Sequence, residues 1–240
     1  SKLMTIYENI LQAKAKNEKL LAILIDPEKV TVEHAFDLAE KIKNSPATHI
    51  FVGGSTFSGS HLNELISALK QNTNLPTLIF PGHPFQISEE ADGILFLSLL
   101  SGRNPDYLIE HQINSVRILE QTNLEVIPTA YLLIDGGSET AVQNVSQTKP
   151  IAHNDIELAY KTAKAGELLG MKLIYLEAGS GANQKISSEM IKYITENCKI
   201  PVIVGGGIRS IQAMQEVYDA GVDLVVIGTA FENNSNFFKE

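Results

Sequence analysis

Eight short apolar runs, separated by amphipathic stretches, constrain this 240-residue chain more than any other feature. The runs cover 21–25, 49–52, 77–80, 94–97, 126–134, 173–176, 201–204 and 224–227. Most are continuously apolar, as strands buried on both faces must be. Between them, 32–42, 61–69, 105–119, 154–169, 187–196 and 210–220 carry apolar residues at helical spacing. Thr31 is suited to cap the first of these. Strand–loop–helix units in series predict a parallel sheet with crossover helices. Eight such units, in a chain near the roughly 250 residues this architecture takes, predict an α/β fold: a (β/α)8 TIM barrel forming a single domain over 1–240. An extra N-terminal helix is expected over 4–15 and a closing helix over 231–238. The third unit is irregular. Only PGHPFQISEEADG separates Phe80 from Ile94, and two prolines and a glycine in its first half leave little room for a crossover helix. An irregular, displaced or missing third helix is expected there.

Charge and composition narrow the function. The net charge is −9 and no tract is basic, which argues against nucleic acid as a partner. No apolar run reaches the ~20 residues that span a bilayer. The N-terminal stretch is polar and unlike a signal peptide. A single cysteine, Cys198, excludes an intramolecular disulfide. A cytoplasmic location is the expectation.

In a parallel barrel the reactive groups stand at the C-terminal ends of the strands. The sixth run ends in YLEAGSGA, the seventh in VGGGIRS and the eighth in IGTAFE. Glycines let backbone N–H groups approach an anion, and a following helix N-terminus favours negative charge. Glycines at three successive strand ends therefore predict a phosphate site rather than tight turns alone. Glu177 ends the sixth run beside this backbone; it is placed either to orient or deprotonate a ligand hydroxyl, or to hold a loop amide or cation. Asp26, in IDPEK, follows the first run. It suits Mg²⁺ together with the hydroxyls of Ser55 and Thr56 in GGSTFSG, and it equally suits a cap for the next helix. The histidines show no metal-ligand spacing, although His83 falls at a strand end. The long segment DGGSETAVQNVSQTKPIAHND after the fifth run reads as a lid or as a solvated loop.

IDPEK, VGGSTFSG, PGHPFQIS, SGRNPDYLI, YLEAGSGA, VGGGIRS and IGTAFE follow in one order. In that order the chain resembles the geranylgeranylglyceryl phosphate synthase family, which includes the bacterial heptaprenylglyceryl phosphate synthases. The resemblance runs from about Ile23 to Phe231. It implies a (β/α)8 barrel with a modified third helix. It further implies a prenyltransferase that joins a polyprenyl diphosphate to the C3 hydroxyl of sn-glycerol 1-phosphate with Mg²⁺. Carried over, Asp26 and Ser55 are the Mg²⁺ ligands. Tyr175, Leu176, Glu177, Ala178, Gly179, Ser180, Gly181, Gly206, Gly207, Gly228 and Thr229 hold the glycerol phosphate. Glu177 and Asp26 are the catalytic residues, Glu177 helping to remove the hydroxyl proton. A prenyl tail needs an apolar groove, for which Phe57, Phe85, Leu99, Leu100, Tyr107 and Tyr131 are candidates. A homo-oligomer with transient membrane-surface contact is implied as well. The alternatives are another phosphate-binding barrel enzyme and a non-catalytic barrel that senses glycerol phosphate.

Overall fold

Eight parallel strands close into a barrel, each hydrogen-bonded to the next and β8 back to β1. They are β1 Leu20–Ile25, β2 His49–Val52, β3 Thr77–Ile79, β4 Gly93–Leu99, β5 Glu125–Leu133, β6 Leu173–Glu177, β7 Val202–Gly205 and β8 Leu224–Ile227. The computed structural model describes residues 3–54, 61–82, 86–179, 181–228, 231, 234 and 236–239. Helices α1 Ile6–Ala15, α2 Val32–Lys43, α3 Leu62–Asn72, α4 His111–Glu120, α5 Ala141–Ser146, α6 Ile156–Leu168, α7 Ser188–Asn197 and α8 Ile211–Asp219 accompany them.

Local chemistry explains the helix boundaries. The Thr31 hydroxyl accepts the His34 N–H at the start of α2, and Ser187 and Ser210 do the same for α7 and α8. One face of α2 buries Ala35, Leu38, Ala39 and Ile42 against the sheet. The alternation of strand side chains then makes two apolar layers. Phe51, Leu78, Leu95, Ile127, Leu173 and Tyr175 fill the barrel interior. Ile50, Ile79, Ile174, Leu176 and Val204 belong to the outer layer between strands and helices.

The expected N-terminal helix is α1, and it seals the barrel's lower end. Ile10 is packed into the interior cluster. The Glu125 carboxylate accepts the Ile6 and Tyr7 N–H groups at 2.7 and 2.9 Å, matching a negative charge to the helix N-terminus.

Two regions depart from regular alternation. Between β3 and β4 the described residues form no helix, in line with the irregular third unit. Before α4 the chain winds as a π-helical turn, Asp106–Glu110, where a continuous α-helix over 105–119 was expected. Of the closing helix expected over 231–238, Phe231 is helical and Phe237–Lys239 form a 3-10 turn among the described residues. No helix among the described residues is long and apolar enough to cross a membrane.

Candidate active site

A cavity of about 710 Å³ opens at the C-terminal ends of the strands. Register decides its chemistry. Pairing sets Leu133 beside Glu177 and Glu177 beside Gly205, so the acid lies between the ends of β5 and β7. Tyr175 and Glu177 turn inward. Gly179, Gly181, Gly206, Gly207 and Gly228 line the same cavity, and Asp26 lines it from the β1 side. Leu176 and Ala178, expected among the ligand-binding residues, direct their side chains into the outer apolar layer. Any part they take is through backbone. Ser55, Ser180 and Thr229 lie outside the described residues, as do Thr56, Phe57, His83 and Phe85.

Glu177 is 6% exposed and accepts the Gly179 N–H at 2.8 Å. Burial pushes its pKa from 4.5 to about 7; the Gly179 N–H and the Tyr175 and Tyr131 hydroxyls offset this only in part. The two hydroxyls lie near the carboxylate without reaching hydrogen-bonding geometry: both are buried without a partner. Orphaned hydroxyls beside a buried acid mark a place built for a polar ligand.

Glycine is required where these loops meet. Gly206 has φ +86°, and a Cβ there would stand 2.4 Å from the Gly179 carbonyl oxygen and 2.9 Å from Glu177 Oε1. Gly179 has φ +98°, and a Cβ there would overlap the Thr140 methyl.

Asp26 does not cap α2, which Thr31 caps. Its Oδ1 instead accepts the Glu28 N–H at 3.0 Å, holding a turn. Among the described residues its Oδ2 has no hydrogen-bond partner, and no three His, Cys, Asp or Glu side chains converge. One open carboxylate beside a glycine-lined cavity fits Mg²⁺, which keeps water and substrate oxygens as its other ligands.

A second, apolar groove lies beside the β3–β4 connection, whose described residues form no helix. It runs from Pro81 and Ile87 across β4 to α4 and α5. Phe80, Tyr131 and Val142 line both groove and cavity. Phe80, Tyr131 and Tyr175 pack ring against ring, centroids 5.4–5.5 Å apart, at the junction. Of the expected groove residues, Leu99, Tyr107 and Tyr131 line it, whereas Leu100 packs against the outer layer.

The model of the PcrB family matches residues 13–240. The chain belongs to the PcrB family. It is 58% identical over 236 residues to the geranylgeranylglyceryl phosphate synthase of Flavobacterium johnsoniae, covering 98% of this chain and 97% of that one. The synthase of the same name from Zunongwangia profunda is 52% identical, covering 95% and 97%. Among solved structures, (S)-3-O-geranylgeranylglyceryl phosphate synthase from Thermoplasma acidophilum, in complex with sn-glycerol-1-phosphate, superposes with a TM-score of 0.93. Its identity is 35%, covering 99% of this chain and 95% of that one.

In this PcrB-family member, sequence reasoning missed Phe80, Thr140, Lys29 and Arg209 at the cavity. Arg209 stands in VGGGIRS and donates to the Gly181 and Ala182 carbonyls at 3.0 and 2.6 Å, tying two glycine loops together. Its position inside a glycine motif was the available signal. Thr140 gave none, because it meets Gly179 only through folding of the long loop into α5.

Proposed function

We propose that this chain is a geranylgeranylglyceryl phosphate synthase. It forms an ether bond between the C3 hydroxyl of sn-glycerol 1-phosphate and C1 of a polyprenyl diphosphate, with geranylgeranyl as the expected chain. The observation that carries this reading is the position of Glu177: a buried acid with a pKa of about 7, beside a glycine-lined cavity that joins an apolar groove. A sugar-phosphate isomerase or a glycerol phosphate sensor has no use for that groove.

The glycine backbone after β6, β7 and β8 holds the phosphate, with the N-terminus of α8 behind it. Glu177 orients the glycerol and takes the C3 hydroxyl proton as its oxygen attacks C1. A pKa near the working pH suits an acceptor that must bind a proton and release it each turnover. Phe80, Tyr131 and Val142 screen C1 from water while the tail lies along the groove. Mg²⁺, which Asp26 would hold together with Ser55 and phosphate oxygens, would neutralise the leaving diphosphate.

Contact with a membrane surface is supported by Ile109, on the π-helical turn, and Ile113 and Val116, on α4, which are exposed while other residues of the turn and of α4 line the groove. Homo-oligomerisation rests on the family resemblance and is read by light scattering. The deciding assay is transfer of labelled sn-glycerol 1-phosphate into an organic phase with geranylgeranyl diphosphate and Mg²⁺. No transfer with any donor from farnesyl to heptaprenyl diphosphate removes the reading.

A further inference from the structure

A prenyl diphosphate is a polyanion, and its diphosphate gains charge as the bond to C1 breaks. The glycine loops follow β6, β7 and β8 and run round the mouth from Glu177 to the strand beside β1. On the β1 side, the acidic groups lining the cavity are Asp26 and Glu28. A wall carrying those groups alone would repel the donor. One cation also lines it: Lys29.

The turn that follows β1 fixes where Lys29 stands. Its N–H donates to the Asp26 carbonyl at 3.0 Å, and the Glu28 N–H donates to Asp26 Oδ1 at the same distance. Pro27 restricts the backbone between them. Lys29 is thereby held in one turn with Asp26, whose Oδ2 is open among the described residues. Two other cations at this end of the barrel are engaged. Arg209 donates to two carbonyls, and Lys185 is paired with Glu216. Among the described residues, Lys29 Nζ makes no ion pair or hydrogen bond. A lysine in a turn is ordinarily a solvated surface group. This one is exposed as well, but it lines the cavity next to the proposed metal ligand, where an anion must dock.

We infer that Lys29 is a catalytic residue that binds the diphosphate of the prenyl donor and neutralises it as it departs. The inference rests on the prenyl-transfer reading. In the step, the bond between C1 and the diphosphate oxygen breaks and its electron pair leaves with the diphosphate. The glycerol C3 oxygen supplies the pair for the new bond, and its proton passes to Glu177. Lys29 transfers no proton in the step. Its ammonium donates to oxygens whose charge grows toward the transition state, so it contributes more there than in the ground state.

Lys29→Ala should lower kcat/KM for geranylgeranyl diphosphate about 100-fold, with the KM for sn-glycerol 1-phosphate unchanged. Lys29→Arg should keep most of the activity, because the charge remains. Calorimetry with inorganic pyrophosphate and Mg²⁺, which needs no turnover, should show about tenfold weaker binding to Lys29→Ala. Equal pyrophosphate affinity in the wild type and Lys29→Ala overturns the assignment, as does a loss shared equally between the two substrates. If the wild type transfers no prenyl group yet binds pyrophosphate in a Lys29-dependent way, the anion site stands and the prenyl-transfer reading falls.

Discussion

Glu177 ionises in an unusual range because it is buried next to backbone and phenols rather than next to a cation. Two consequences follow for the free enzyme. First, kcat/KM should rise with pH through about 7 as the carboxylate loses its proton, and Glu177→Gln should remove this limb together with at least 100-fold of the turnover. Glycerol phosphate affinity, measured by calorimetry, should change by only a few-fold, since a glutamine still accepts the Gly179 N–H. Second, in the unfolded chain this group ionises near 4.5, whereas in the fold it keeps its proton to about 7. Folding binds a proton between those values, so this contribution is complete below about pH 4.5 and is lost as pH rises toward 7. The loss is on the order of 3 kcal/mol. Urea unfolding of Glu177→Gln should lack that part of the decline; identical pH profiles for the two proteins would refute the burial argument. At the opposite wall, Asp26→Asn should abolish transfer while glycerol phosphate binding survives. Unchanged turnover would take Asp26 out of the metal site.

Elements at the two ends of the barrel use acids differently. At the N-terminal end, carboxylates tie strand starts and are partnered by lysines. Asp92 accepts the Thr77 N–H and pairs with Lys70 at 2.5 Å; Asp223 accepts the Val202 N–H and pairs with Lys14 at 3.5 Å. Glu167 accepts the Lys199 and Ile200 N–H groups and pairs with Lys164. At the C-terminal end, Asp26 and Glu177 form no ion pair among the described residues. Stability is built at one end and reactivity left open at the other. Glu125 lies at the same end with no lysine partner among the described residues, and it anchors α1 across the barrel floor. Glu125→Ala removes two bonds to a charged acceptor and should cost about 1–3 kcal/mol in denaturant unfolding. Activity below the melting transition should persist, because α1 is far from the mouth. Loss of turnover without loss of stability would contradict that separation.

Across the whole molecule, the β3–β4 connection, without a helix among its described residues, and the folded fifth loop make the groove together. The described residues between β3 and β4 form no helix over this flank of the barrel, and α4 and α5 line the groove there. Val145, on α5, lines the groove but not the cavity and is 39% exposed, so a larger side chain can be accommodated. Val145→Trp should raise the KM for geranylgeranyl diphosphate at least tenfold by obstructing the groove, leaving the dissociation constant for sn-glycerol 1-phosphate unchanged; equal effects on both would place the tail elsewhere. Much of this architecture was legible in the chain. Apolar runs and helical periodicity are local signals, so the eight strands, the irregular third unit and the glycines at strand ends could all be read off directly. The facing of individual side chains could not. Tyr175 and Glu177 point inward while Leu176 and Ala178 point outward, and closure and register settle that phase. Barrel closure also brings Asp26 and Lys29 to the rim of one cavity with Glu177, and sets Thr140 against Gly179, across separations no local pattern spans. The sequence by itself determined a barrel with glycine-rich mouths, because backbone preference and burial act over a few residues. Only the tertiary structure decided which acids stay unpaired, which hydroxyls stay orphaned and where an apolar groove meets them, because those properties belong to surfaces formed when distant strands close.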